Sequence, residues 1–218
     1  MLNLGNKVLL LKNDKLDNNT YLITIHNTLV IVDLSWNAMI ILDYIKNNGF
    51  DRIIIFYTHG HYDHIGEINE LISIRDKIDI YISKDEKNIL LDPNPKLPFS
   101  YNLIAFKNQI KLYEDIEFLE VDNKKFTFIK TPGHSIGSTS IMFDDYIFTG
   151  DFLFSDCIGR IDLLTSSEKD MVNSCVYFLK NISNGFIICP GHGDVEKFGK
   201  IKINNLDFDW AIKYEKQS

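Results

Sequence analysis

The strongest constraint on this chain is a short segment. Between His59 and His64, in the string Thr58-His59-Gly60-His61-Tyr62-Asp63-His64, three imidazoles and one carboxylate fall within six residues, directly behind the apolar run Ile53 to Tyr57. Nitrogen and oxygen donors of this kind bind zinc, iron or manganese, and packing alone does not account for such density. The fold must therefore end an apolar strand in a ligand-rich loop. His59 and His61 stand two apart, so an extended backbone projects both to one side, while Asp63 and His64 follow where a helix begins and reach a second point. Gly60 permits a tight backbone path, and Gly66 a close approach in the first helical turn.

Around that segment the pattern alternates. KVLLL, TYLITI and LVIVDL are rich in aliphatic and β-branched residues and are separated by Asn- and Asp-containing turns, which predicts an antiparallel N-terminal sheet. From Trp36 to Asn47 the apolar positions Met39, Ile40, Leu42 and Ile45 suit a helix that Asn48-Gly49 stops. A second helix is predicted over Ile65 to Arg75, then a strand IDIYIS and a short helix from Lys84 to Leu91. DPNPKLPFS holds three of the five prolines and reads as a rigid loop or a joint between halves. Beyond it IEFLE, KKFTFIK, STSIMF and DYIFTG read as strands with Asp-Asn and Asp-Asp turns, and a helix from Ser167 to Asn181 leads into the strand FIICP. There is no repeat, low-complexity tract or coiled-coil heptad. Two sheets packed face to face with outer helices fit this order, in one domain spanning residues 1–218.

Charge narrows the partners. The 30 acidic and 23 basic residues of this 218-residue chain give a net charge of -7 with no basic block, which disfavours nucleic acid. The N-terminus lacks a secretory pattern and no run of about 18 apolar residues occurs, so a cytoplasmic protein without a membrane partner is expected. Three cysteines, Cys157, Cys175 and Cys189, with no CxxC spacing suggest free thiols rather than a disulfide framework or a thiolate zinc site. Cys189 reads as a buried small hydrophobe, and Cys157 falls close to the ligand-rich segments.

Three further segments each place a donor after a predicted strand: TPGHS gives His134, FTGD gives Asp151 and CPGHG gives His192. Together with HGHYDH they resemble the HxHxDH signature set of the metallo-β-lactamase superfamily, over residues 20–205. The resemblance implies an α/β (α+β) four-layer αββα sandwich. It implies one metal held by His59, His61 and His134, a second by Asp63, His64 and His192, and Asp151 bridging them. Two divalent ions are implied, zinc first, with iron and manganese compatible. Asp33, closing LVIVDL, resembles a position where the family often has an Asp that supports the metal loop; capping near Ser35 is the alternative. His26 lies outside every motif.

Two such metals lower the pKa of a shared water enough to supply hydroxide at neutral pH, and Asp63 and Asp151 are the carboxylates implied to serve that chemistry. No Ser-His-Asp set or GxSxG elbow offers a covalent route. GDFLF followed by GRIDL resembles the glyoxalase II-like branch, which holds hydroxyacylglutathione hydrolases and persulfide dioxygenases. A small-molecule thioester suits the site, since a thiolate with a pKa of about 8.5 leaves without a protein acid. Arg160 is expected to pair with Asp162 and shape the loop, with substrate contact as its other role. The tail that follows CPGHG does not resemble the helical domain that binds glutathione in glyoxalase II, so glutathione as the thiol carrier stays an open expectation. The alternatives are a mononuclear iron persulfide dioxygenase using His59, His134 and Asp151, and a phosphodiesterase or nuclease of the same fold.

Overall fold

Strict two-residue periodicity explains the layers. In the computed structural model, which describes residues 1–5, 8–13, 17–91 and 103–216, strands β1 (Leu2–Gly5), β2 (Val8–Asn13), β3 (Asn18–Ile25), β4 (Thr28–Val32), β5 (Arg52–Phe56), β6 (Ile78–Ile82) and β7 (Ile110–Leu112) form one sheet in that order. β1 to β4 pair antiparallel and β4 to β7 parallel. Strands β8 (Phe118–Val121), β9 (Lys124–Lys130), β10 (Thr139–Phe143), β11 (Tyr146–Gly150), β12 (Ile187–Pro190) and β13 (Glu196–Lys197) form the second sheet, with spatial order reversed and β11 and β12 parallel. Leu29, Ile31, Ile53 and Ile55 face outward onto Ile41, Leu42 and Ile45 of helix α1 (Ala38–Asn48). Their alternates Val30, Val32, Ile54 and Phe56 face inward onto Phe126, Ile141, Phe148 and Cys189 of the other sheet. Ile147 and Ile188 turn the other way and pack on Met171, Cys175 and Phe178 of a helix beyond the second sheet. The four-layer αββα sandwich is therefore present.

The helices follow their local signals with two corrections. α1 buries Ala38, Ile41, Leu42 and Ile45, a clean i, i+3, i+4, i+7 stripe, while Met39 and Ile40 are exposed, so the helix is right but its apolar face is shifted. Gly49 at φ 68° closes it. The helix predicted over Ile65 to Arg75 does not form as one element. A single turn, α2 (Tyr62–Ile65), is followed by a 3-10 segment Ile68–Lys77. Gly66 is extended and Glu67 is left-handed at φ 58°, and that detour lets the Glu67 carboxylate accept the Ala38 amide at 3.1 Å. The Asn37 side chain donates to Thr20 and makes no cap hydrogen bond, so Glu67 supplies a partner for the start of α1.

Helix α3 (Lys84–Leu90) follows β6, and α4 (Glu168–Asn181) is capped by the Ser167 hydroxyl on the Asp170 amide. α5 (Phe198–Asn204) and α6 (Leu206–Glu215) complete the outer layer over the second sheet. Asp122 and Asn123, both at positive φ, make the tight β8–β9 hairpin that Asp-Asn announces. β1 is an edge strand with no counterpart among the sequence expectations. DPNPKLPFS, at 92–100, lies outside the described residues. Among the described residues no helix is long and apolar enough to cross a membrane.

Phe56 is the centre of the inter-sheet layer, fully buried with Tyr81, Phe126 and Phe128 ring centroids 5.2–5.5 Å away. Phe56→Ala is expected to lower unfolding stability by about 3–5 kcal/mol in urea titration, whereas Ile203→Ala, on a side chain 81% exposed, changes it by less than about 0.5 kcal/mol.

Candidate metal centre

Every ligand candidate leaves the sandwich at the same rim, because each follows the C-terminal end of a strand. β5 ends at Phe56 and delivers Thr58 to His61; His61 stays extended, and the turn of α2 then presents Asp63 and His64. His134 sits between β9 and β10. Gly133 before it has φ 144°, and a Cβ there would lie 2.5–2.7 Å from the Met171 backbone and Cβ, so this loop can seat against α4 only with glycine. Asp151 directly follows β11. His192 follows β12, behind Gly191, where a Cβ would lie 2.5 Å from the His64 ring.

The seven side chains meet. His59, His61 and His134 form one group, and Asp63, His64, Asp151 and His192 another; within each, the donor atoms lie within 4.8 Å of one another. His61 Nδ1 and His134 Nε2 are 2.9 Å apart. Asp151 reaches both groups, with Oδ1 3.2 Å from His64 Nε2 and Oδ2 3.5 Å from both His134 Nε2 and His192 Nε2. The far nitrogens set the orientation: His134 Nδ1 donates to the Arg160 carbonyl at 3.0 Å, and His64 Nδ1 to Asp33 Oδ2 at 2.9 Å. His59 Nδ1 meets the Thr58 hydroxyl at 3.0 Å, and that hydroxyl donates to Asp33 Oδ2 at 2.8 Å. Asp33, 2% exposed, thus orients His64 directly and His59 through Thr58. It does not cap a helix at Ser35.

These residues fit divalent cations. His59 Nε2 is buried without a hydrogen bond, and it converges on the site with His64 Nε2 and Asp151 Oδ1, which have only each other at 3.2 Å. Buried lone pairs left unmatched are strongly unfavourable, and a cation is the partner that an imidazole-and-carboxylate set accepts. The ion-free electrostatics are consistent with this. Burial, then the neighbouring imidazoles, hold His59 well below its usual pKa and His61 down at about 4; burial also lowers His134. Burial opposes charge on His64 and His192, but Asp151 with Asp33 at the first, and Asp151 with Asp63 at the second, outweigh it and raise both, His192 to about 10. Burial likewise opposes the Asp63 anion, yet His192 and His64 bring it to about 2. Asp151 is held well below the carboxylate range, burial being overridden by His64 and His192.

The remaining candidates fall into place. The Arg160 guanidinium pairs with Asp162 at 2.9 and 3.0 Å in solvent, and the residue touches the centre only through its backbone carbonyl. Cys157 is exposed and its thiol is raised to about 11 by partial burial and then by Asp156. That keeps it protonated at neutral pH. His26 lies in the β3–β4 turn, 3.6 Å from Asp122. Asn18 and Thr58 were missed. Asn18 is fully buried, with Nδ2 3.3 Å from Asp63 Oδ2 and 3.4 Å from His192 Nε2. Its only signal was an Asn pair opening a strand, which reads as a turn.

The family model described as the metallo-β-lactamase superfamily matches residues 13–194. The chain belongs to that superfamily. It is 32% identical over 185 residues to a “probable metallo-hydrolase” of Streptococcus pyogenes serotype M6, covering 80% of this chain and 78% of the relative. The hydroxyacylglutathione hydrolase GloC of Haemophilus influenzae is similar at 26% over 180 residues, covering 80% of this chain and 84% of the relative. Among solved structures, BLEG-1 B3 metallo-β-lactamase superposes with a TM-score of 0.72 at 24% identity, covering 92% of this chain and 99% of that one, a likeness of fold. The family and these relatives support a hydrolase activity for this chain.

The two donor groups of this superfamily site are predicted to differ in pH dependence. His59, His61 and His134 are all held below the usual imidazole pKa and are neutral near pH 7, so metal affinity there changes little around neutrality. His64 and His192 are both raised, His192 to about 10, and carry protons that a metal must displace, so affinity at the second group rises as the pH is raised above neutrality. Calorimetric zinc titration at pH 7 in buffers of different ionisation enthalpy is expected to show proton release from one of two sites.

Proposed function

We propose that this protein is a binuclear metal-dependent thioesterase acting on glutathione-type or related small thioesters. One observation carries the two-metal reading: Asp151 lies within 3.5 Å of imidazole nitrogens in both donor groups. His59, His61 and His134 would hold one ion, Asp63, His64 and His192 the other, with Asp151 shared and zinc the first candidate. When bound, such a pair supplies Lewis acidity that brings the pKa of water near neutrality and polarises a carbonyl. The chain's own part is to place and keep the charges. Asp63, a carboxylate partly open to solvent, can orient an attacking water and accept its proton, and Asn18 fixes its carboxylate. Asp33 keeps His64 turned toward the site.

A thioester fits because its thiolate departs without a protein acid. The GDFLF and GRIDL strings support the same branch, as does the similarity to the Haemophilus influenzae hydroxyacylglutathione hydrolase. A single iron would use three of the seven converging donors, which is the weaker account of the cluster.

Elemental analysis with a screen of glutathione thioesters and glutathione persulfide tests the proposal. Two metals per chain with thioester cleavage are expected; one iron with oxygen uptake would replace it with the dioxygenase. Asp151→Ala is expected to lose metal from both groups and reduce turnover to background. His26→Ala is expected to leave both unchanged.

A further inference from the structure

One buried carboxylate at this rim belongs to neither donor group. Glu86, in the first turn of α3, is 2% exposed. Its Oε2 accepts the Gly60 amide at 3.1 Å, and its Oε1 accepts the Gly137 amide at 3.0 Å. Gly60 lies between His59 and His61, and Gly137 lies three residues past His134 in the loop closed by β10. The two loops that supply the first donor group are thus tied to opposite oxygens of one side chain from a third element.

The clamp has little slack. A Cβ on Gly60 would lie 2.5 Å from Glu86 Oε2, and one on Gly137 would lie 2.5 Å from Glu86 Cγ and collide with the Ser83 hydroxyl. Ser83 fixes the carrier: its hydroxyl accepts the Glu86 amide at 3.2 Å and its carbonyl accepts the Lys87 amide at 3.0 Å, anchoring the start of α3 to the end of β6. Leu90 at the other end of α3 is buried in the outer apolar layer. Burial pushes the Glu86 carboxyl up, and the Ser135 hydroxyl and both amides oppose that. A carboxylate offers one acceptor oxygen to each of the two amides. A glutamine offers one oxygen, and its NH2 would face the other amide donor to donor.

We propose that Glu86 is a positioning residue for the first metal site, setting the spacing between the His59–His61 loop and the His134 loop, and that the second site is independent of it. This rests on the reading of His59, His61 and His134 as ligands, and it deepens that reading by naming what holds them in register. Partners that orient ligands characteristically change metal affinity by about 10- to 100-fold when removed.

The test uses the full chain and the conservative variant Glu86→Gln, with Glu86→Asp beside it. In metal-free protein, amide hydrogen exchange is expected to lose protection at Gly60, Gly137 or both in Glu86→Gln, while Ile54 and Phe148 in the core stay protected. Zinc titration of the same samples is expected to show affinity at the first site lowered about 10- to 100-fold and the second unchanged, with Glu86→Asp intermediate because it keeps the charge but shortens the reach. Wild-type exchange and zinc affinity in Glu86→Gln would overturn the proposal. So would equal loss at both sites together with loss of core protection, which would make Glu86 a folding residue only. If the wild-type chain takes up no zinc while the exchange result holds, the clamp stands and the ligand reading fails.

Discussion

The Asp33 carboxylate, buried where β4 ends, is the interaction on which the metal centre depends. It accepts the Thr58 amide at 2.8 Å, the Thr58 hydroxyl at 2.8 Å and His64 Nδ1 at 2.9 Å, while its own amide bonds to the Phe56 carbonyl at 3.0 Å. It therefore joins the ends of two neighbouring parallel strands and fixes which nitrogen of His64 faces the site. A buried carboxylate is tolerable only with such donors, and each is a group that must be oriented for metal binding. Stability of the rim and geometry of the centre are here the same set of hydrogen bonds.

From that anchor the rest follows by topology. Parallel pairing of β4 with β5 and of β11 with β12 sends their C-terminal ends to one rim, where Asp33, the His59 loop, Asp151 and His192 emerge side by side. Open α/β sheets place ligand sites outside the carboxyl ends of their strands for this reason. The seven donors then meet although they are far apart in sequence. Without an ion, protons on His64 and His192 balance Asp63 and Asp151, while the other three imidazoles stay neutral. The site is thus prepared for cations in two different ways.

Much of this was legible in the sequence because strand ends and ligand motifs coincide: each of TH, TPGH, GD and PGH follows an apolar run, so convergence needed only the sandwich. What was not legible depends on distant partners. The helix expected over Ile65 to Arg75 is broken because Glu67 turns back to cap α1, a contact that no local pattern announces. Asn18 reads as a turn residue and Glu86 as an ordinary charge on a short helix; only the fold buries them against Asp63 and the Gly60 amide. The apolar face of α1 was misplaced for the opposite reason, since Met39 and Ile40 are apolar by composition and exposed by geometry.

Anomalous diffraction from crystals of the zinc-loaded protein addresses the central claim directly. The account predicts two adjacent peaks, one ringed by His59, His61 and His134 and the other by Asp63, His64 and His192, with Asp151 touching both. A lone peak bound only by His59, His134 and Asp151, or no peak at this rim, would contradict it.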